Sequence, residues 1–214
     1  MKDAAPAEVL VAHYESCFRA HGRTPKGVDW PNSADLEKRY EVLLGVLPPG
    51  KQSLSLLDLG CGPGLLVDHL DRTGRLRDIA YHGIDLSEPM LASAREHWPG
   101  LDFQKRDVLL SPLPTASIDY AILNGVLTER RSISLPEMKE YALKLLSCVF
   151  DAAREGIAFN VMSTVVDWER DDLFHWGFDE MASAVSKALS RHLLIRADYG
   201  LYEYTTYVYH QPRT

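Results

Sequence analysis

The chain has 214 residues, 46% of them hydrophobic, and a formal net charge of −7. That length suits one α/β domain with a small appendage, and that hydrophobic share builds a core and excludes extended disorder. The acidic balance, with no long basic run, counts against nucleic acid as a partner, because neutralising phosphates takes clustered Lys and Arg.

Cys17, Cys61 and Cys148 are odd in number, far apart and without a CxxC pair. They read as reduced thiols rather than a disulfide framework or a zinc site. The opening MKDAAPAEVLVAHYE carries an early acid and no long apolar core, so it does not read as a signal peptide. No run approaches the ~18 apolar residues of a membrane span. The expectation is a cytoplasmic protein with no membrane partner.

From Ala7 to about Leu47 the pattern is helical, interrupted by HGRTPKGVDWPNS. Leu36, Tyr40, Leu43, Leu44 and Leu47 share one helix face, Asn32 or Ser33 caps it, and PPG ends it. Alternation follows. Leu54–Leu59 is a short buried strand, Gly64–Arg72 a helix, and Ile79–Asp85 a strand ending on an acid. Ser87 caps a helix over Glu88–His97, with Pro89 tolerated in its first turn. Leu101–Lys105 and Ile118–Leu123 read as strands. SLPE at Ser134–Glu137 has capping-box spacing and opens a long helix, Pro136–Glu155, followed by a strand over Gly156–Met162. A helix over Phe178–Ser190 precedes two strands, His192–Tyr199 and Glu203–Tyr209, close enough to form an antiparallel hairpin. The pattern predicts an α/β fold: a Rossmann-like, doubly wound, seven-stranded and mostly parallel sheet with an antiparallel C-terminal hairpin strand. Residues 1–50 are expected to form a helical cap over a pocket in the domain of residues 51–214.

Ligands of open parallel sheets bind at the carboxyl ends of the strands. The first such loop here is Gly60-Cys61-Gly62-Pro63-Gly64. Gly60 and Gly62 allow backbone amides close to a ligand, with no Cβ in the way. Asp58 precedes the loop and Asp85 ends the next strand, where a carboxylate can accept two hydrogen bonds from a ribose diol. The spacing is GxGxG rather than the GxGxxG of dinucleotide sites, and no P-loop Lys-Ser/Thr follows.

LDLGCGPG, GIDLSEPMLASARE, FQKRDVL and IDYAILNGVLTE occur in this order at strand ends. Together they resemble the class I S-adenosylmethionine-dependent methyltransferases over about Leu54–Gly125. The resemblance implies S-adenosylmethionine as cofactor and assigns roles residue by residue. Asp58 and the backbone of Gly60, Cys61 and Gly62 would hold its methionine part. Asp85 would take the ribose hydroxyls, and Leu86 and Met90 would pack on adenine. Asp107 would accept from the adenine amino group beside the Val108 amide. Asn124 would lie under the sulfonium. The implied activity is methyl transfer to an oxygen or nitrogen of a small-molecule acceptor, in natural-product or saccharide biosynthesis. No NPPY-like tetrapeptide follows the fourth strand, which argues against an adenine-base amino methylase. A nicotinamide-dependent oxidoreductase and a non-catalytic S-adenosylmethionine-binding protein are the alternatives.

Further candidates come from single residues. Arg39 reads either as a solvated helix charge or as a clamp on the cofactor carboxylate, since a guanidinium binds carboxylate bidentately. Tyr14 and Trp30 are either packed aromatics or a lid over the cofactor. Glu129 is a candidate to orient a nucleophile and His175 a candidate base, each weighed against an ordinary structural role. Asn160, Ser163 and Trp168 either line the acceptor site or mark the end of the fifth strand. The eight histidines show no HxxxH or HxH metal spacing, and His69 and His97 read as surface residues.

Overall fold

The computed structural model describes residues 5–50 and 53–213. Helix α1 (Pro6–His21) and helix α2 (Ser33–Leu44) precede strand β1 (Leu54–Leu59). Then come α3 (Leu65–Arg72), β2 (Ile79–Asp85), α4 (Glu88–His97), β3 (Asp102–Lys105) and β4 (Ile118–Leu123). The chain closes with α5 (Leu135–Ala152), β5 (Ala153–Met162), α6 (Phe178–Ala188), β6 (His192–Arg196) and β7 (Glu203–Tyr209).

One sheet takes all seven strands in the order β3-β2-β1-β4-β5-β7-β6. The first five pair in parallel, and β7 runs antiparallel to both β5 and β6. The burial of β1 and β4, apolar apart from Ser55, Asp58 and Asp119, follows from helices on both faces of the sheet. Against one face pack Leu10 of α1, Met138, Leu145 and Val149 of α5, and Met181 and Val185 of α6. Against the other pack Leu36, Tyr40, Leu43 and Leu44 of α2 with Leu66 and Leu70 of α3 and Leu91 of α4. The order reverses between β1 and β4, which puts their carboxyl ends at the switch point of the sheet.

The local signals act as expected where they are chemical. Asn32 Oδ1 accepts from the Asp35 amide at 2.8 Å, and Ser134 and Glu137 form a reciprocal capping box. Two strand boundaries move by three residues. Helix α5 stops at Ala152 and β5 begins at once, because Ala153 already pairs with Ile118 across a register shift in β4. Strand β6 stops at Arg196, whose guanidinium turns to the Asp198 carboxylate at 2.7 Å. His97 is exposed, but His69 is not a surface residue: α2 packs over α3 there, and the buried imidazole meets the Glu41 carboxylate at 2.6 Å. Among the described residues no helix is long and apolar enough to cross a membrane.

Candidate active site

A cavity with about 1050 Å³ of free space, its open mouth included, lies at the carboxyl ends of β1, β2 and β4. Its floor is the glycine loop. Gly60 sits at φ +77°, and a Cβ there would press on Val126 Cγ2, so glycine is favoured where the turns after β1 and β4 meet. Gly64, at the same φ, ends the turn and starts α3.

The loop's donors are spent inside the protein. The Gly60 and Cys61 amides donate to the Ile84 carbonyl at 2.8 and 3.1 Å, and the Gly64 amide donates to the Cys61 carbonyl. The Gly62 amide donates to Asp85 Oδ2 at 2.8 Å, and Pro63 has no N–H. The expectation that these amides approach the ligand is therefore corrected: they fix the loop to the end of β2. Its remaining capacity is as an acceptor, through the Gly60 carbonyl and the Asp58 carboxylate. Arg23 closes the far side, donating to the Pro63 carbonyl at 2.9 Å and pairing with Asp68 at 2.6 Å.

Asp58 is buried and accepts a hydrogen bond from the Tyr81 hydroxyl at 2.8 Å. Burial pushes its carboxyl up to about 7, against the pull of that hydroxyl, and the neighbouring Asp85 charge adds to the rise. Asp85 accepts from the Ser87 amide through Oδ1 and from Gly62 through Oδ2, both at 2.8 Å. Desolvation raises its pKa despite these bonds. Each carboxylate keeps lone pairs for a ligand.

Of the expected cofactor residues, Tyr14, Trp30, Asp58, Gly60, Cys61, Gly62, Asp85, Leu86, Met90, Asp107, Val108 and Asn124 all line this cavity. Asp107 also caps its own turn, accepting from the Leu109 amide at 2.9 Å. Tyr14 donates its hydroxyl to the Gly125 carbonyl at 2.8 Å, which ties α1 to the turn after β4.

Arg39 is not among the lining residues and is neither solvated nor free to clamp a ligand bidentately. Its Nε and Nη2 both reach Glu203 Oε2, at 2.8 and 2.7 Å, and the pair is buried. Its guanidinium carbon lies 3.8 Å above the centroid of the Trp30 ring.

The two candidate catalytic groups also fall outside the cavity lining. Glu129 is buried beside the Leu173 bridge and takes Arg131 at 3.2 Å; burial raises its carboxyl while Arg131 lowers it. His175 is buried with both ring nitrogens engaged: Nδ1 lies 2.6 Å from the Ser163 carbonyl, and Nε2 is 3.4 Å from the Arg170 amide that donates to it. It therefore fastens the segment after β5 instead of presenting a free base. Ser163 Oγ accepts from the Val165 amide and marks the strand's end, Trp168 is exposed against Tyr202, and Asn160 is fully buried.

Sequence reasoning missed Arg23, Tyr81 and Glu203. Glu203 carried a signal, an acid opening a strand of Tyr, Thr and Val, but its partner lies 164 positions away.

Acceptor oxygens facing a cavity at the switch point of a parallel sheet, with an acid at the end of β2, define a nucleoside site suited to a cationic ligand rather than to a pyrophosphate. The comparisons agree. The methyltransferase domain family matches residues 56–147. Rv1506c of Mycobacterium tuberculosis, whose name marks it as a candidate methyltransferase, is 30% identical over 156 residues, covering 72% of this chain and 92% of that protein. The trans-aconitate 2-methyltransferase of Methylobacterium nodulans is 41% identical over 73 residues, 34% of this chain and 27% of that enzyme. The fold matches magnesium protoporphyrin IX methyltransferase from Synechocystis, solved with S-adenosylmethionine, at a TM-score of 0.69 and 14% identity, covering 99% and 100% of the two chains. The chain belongs to the S-adenosylmethionine-dependent methyltransferases.

Proposed function

We propose that this enzyme moves the methyl group of S-adenosylmethionine to an oxygen or nitrogen of a small-molecule acceptor, in natural-product or saccharide biosynthesis. The observation that carries the cofactor end is the exhausted donor set of the glycine loop. A pyrophosphate would find no amide nest there, which disfavours a nicotinamide cofactor. An ammonium and a sulfonium need acceptors, and the loop offers the Gly60 carbonyl and Asp58. Asp85 takes the ribose diol, Leu86 and Met90 cover adenine, and Asp107 with Val108 reads its edge. Asn124 faces the methionine end. The capping role expected of residues 1–50 falls to α1 and the segment that follows it, with Tyr14 and Trp30 on the inner wall, while α2 packs on the sheet itself.

S-adenosylmethionine supplies an already activated methyl group, so the chain's own task is to align the nucleophile and exclude water. Tyr14 and Trp30 close the cavity on that side. Support for a small acceptor is the partial likeness to trans-aconitate methyltransferase, together with the acidic net charge.

The test is two-fold. Isothermal titration with S-adenosylmethionine and, separately, NADH is expected to show binding of the first alone. Incubation with methyl-labelled S-adenosylmethionine and a metabolite extract is expected to label a small molecule. S-adenosylmethionine binding without any labelled product would favour a non-catalytic binder, and binding of NADH instead would favour an oxidoreductase.

A further inference from the structure

Three elements far apart in sequence, α2, β5 and β7, meet behind the turn that follows β4. Glu203 opens β7, and its Oε2 holds Arg39 of α2 through two nitrogens. Its Oε1 accepts from Asn160 Nδ2 of β5 at 2.8 Å. Asn160 faces the turn from the other end of its amide: Oδ1 accepts from the Gly125 amide at 2.8 Å, and Nδ2 lies 3.4 Å from Asn124 Oδ1. Asn124 and Gly125 line the cavity. A second branch runs through Arg39, whose guanidinium stacks on Trp30. A Cβ on Gly125 would lie 2.9 Å from Trp30 Cζ2, so that ring and the turn are in close contact.

The chain of contacts is expensive if stability is its only purpose. Arg39, Asn160 and Glu203 are at most 7% exposed, and Arg39 Nη1 has no partner among the described residues. A buried ion pair can commonly be replaced by well-packed apolar side chains with no loss of stability, so its presence is weak evidence for a stabilising role. Both branches instead end on the cavity wall, at Asn124–Gly125 and at Trp30. Gly125 is held on every polar group: its amide by Asn160, and its carbonyl by the Tyr14 and Thr128 hydroxyls at 2.8 and 2.9 Å.

We infer that Arg39, Glu203 and Asn160 are positioning residues, which set the Asn124–Gly125 turn and the Trp30 ring for the methionine end of the cofactor without touching it. This rests on the reading that the cavity takes S-adenosylmethionine. Glu203 is the hub, since each of its oxygens serves one branch. The packing of Trp30 against a fixed guanidinium adds a cation–π contact to the wall.

The test uses the full chain and compares wild type with Glu203→Gln, which keeps the size but loses the charge and turns one of the two acceptor oxygens into a donor, and with Arg39→Met/Glu203→Leu, which replaces the pair by apolar groups. Three quantities are measured on each: the thermal midpoint without ligand, the dissociation constant for S-adenosylmethionine by titration well below that midpoint, and amide exchange at Gly125. A positioning role predicts about tenfold weaker binding in Glu203→Gln and at least as much in the double variant, at native circular dichroism. It also predicts faster exchange of the Gly125 amide, with exchange in β1 unchanged. Arg39→Lys, which keeps the charge but not the fork, is expected to fall between. A lowered midpoint with unchanged affinity and unchanged Gly125 exchange would show a purely structural pair and overturn the inference. Should the double variant fail to fold, Glu203→Gln alone decides. If wild type itself does not bind S-adenosylmethionine, the cofactor reading fails and this inference falls with it, an outcome distinct from unequal binding by wild type and variants.

Discussion

The ends of β1 and β2 and the ends of β4 and β5 meet at one site, yet they are built by different means. At β1 and β2 the working groups lie within a few residues of a glycine turn, and backbone conformation places them: Gly60 at φ +77° brings its own amide onto Ile84, and Asp85 reaches both Gly62 and Ser87. At β4 and β5 the same work is done by side chains that arrive from elsewhere, Tyr14 from 111 positions away and Glu203 from 43 beyond Asn160. The first half is a local device, the one proposed to carry the nucleoside. The second is a tertiary assembly, and its polar groups, Arg39 Nη1 apart, are occupied with one another.

The sharpest way to break this contrast is Asp85→Ala. Two amides lose their acceptor along with the ribose, and affinity for S-adenosylmethionine should fall on the order of 100-fold by titration. Undiminished binding would remove the nucleoside reading of the β2 end. Gly60→Ala tests the backbone half directly. A positive φ and a clash with Val126 should cost roughly 2–3 kcal/mol, seen as a lower unfolding midpoint without ligand. A midpoint within a degree of wild type would mean that the turn tolerates a Cβ.

Asp58 gives a pH signature. Its carboxyl, near 7 in the folded chain against 3.8 for the free group, is protonated in the folded protein where the unfolded chain is already ionised. The ligand-free fold therefore loses stability as pH rises from about 4 through 7. A cationic ligand prefers the ionised form, so affinity for S-adenosylmethionine should tighten several-fold between pH 6 and pH 8. Asp58→Asn should bind more weakly and flatten that profile; a profile that keeps its slope in the variant would assign the titration to another group. The smallest expected effect on binding is at His175. His175→Ala removes two contacts to backbone and should lower stability by about 1–2 kcal/mol while leaving cofactor affinity within twofold. If His175 were instead the base, labelled-methyl transfer per folded molecule would collapse with little change in stability.

How much of this was legible in the sequence follows the same divide. The succession of strands and helices and the closing hairpin could be read because turns, caps and apolar periods are written in neighbouring residues, and the lining residues from Asp58 to Asn124 followed from the resemblance of their motifs to a known family. The availability of the loop amides could not be read, since it depends on where the Ile84 carbonyl points. Glu129 and His175 carried the right chemistry for catalysis, but burial and the partners Arg131, Ser163 and Arg170 are set by how the segments after β4 and β5 fold over each other. Arg39 looked either solvated or ligand-bound. Its true partner is an acid on β7, a pairing that no helical spacing encodes.

The insertion of β7 between β5 and β6 has a consequence for how the molecule is made. During synthesis β5 emerges well before β7, so the strand Ala153–Met162, buried from Gly156 onward in the finished sheet, waits with one side open while α6 and β6 are still being added. An unpaired inner strand is a template for association with another nascent chain. The same late arrival brings Glu203, so the wall at Asn124–Gly125 is assembled only when the final hairpin closes. Ligand binding would then report completion of the sheet: a chain shortened before β7 would have every residue of the glycine loop and no finished site to put it in.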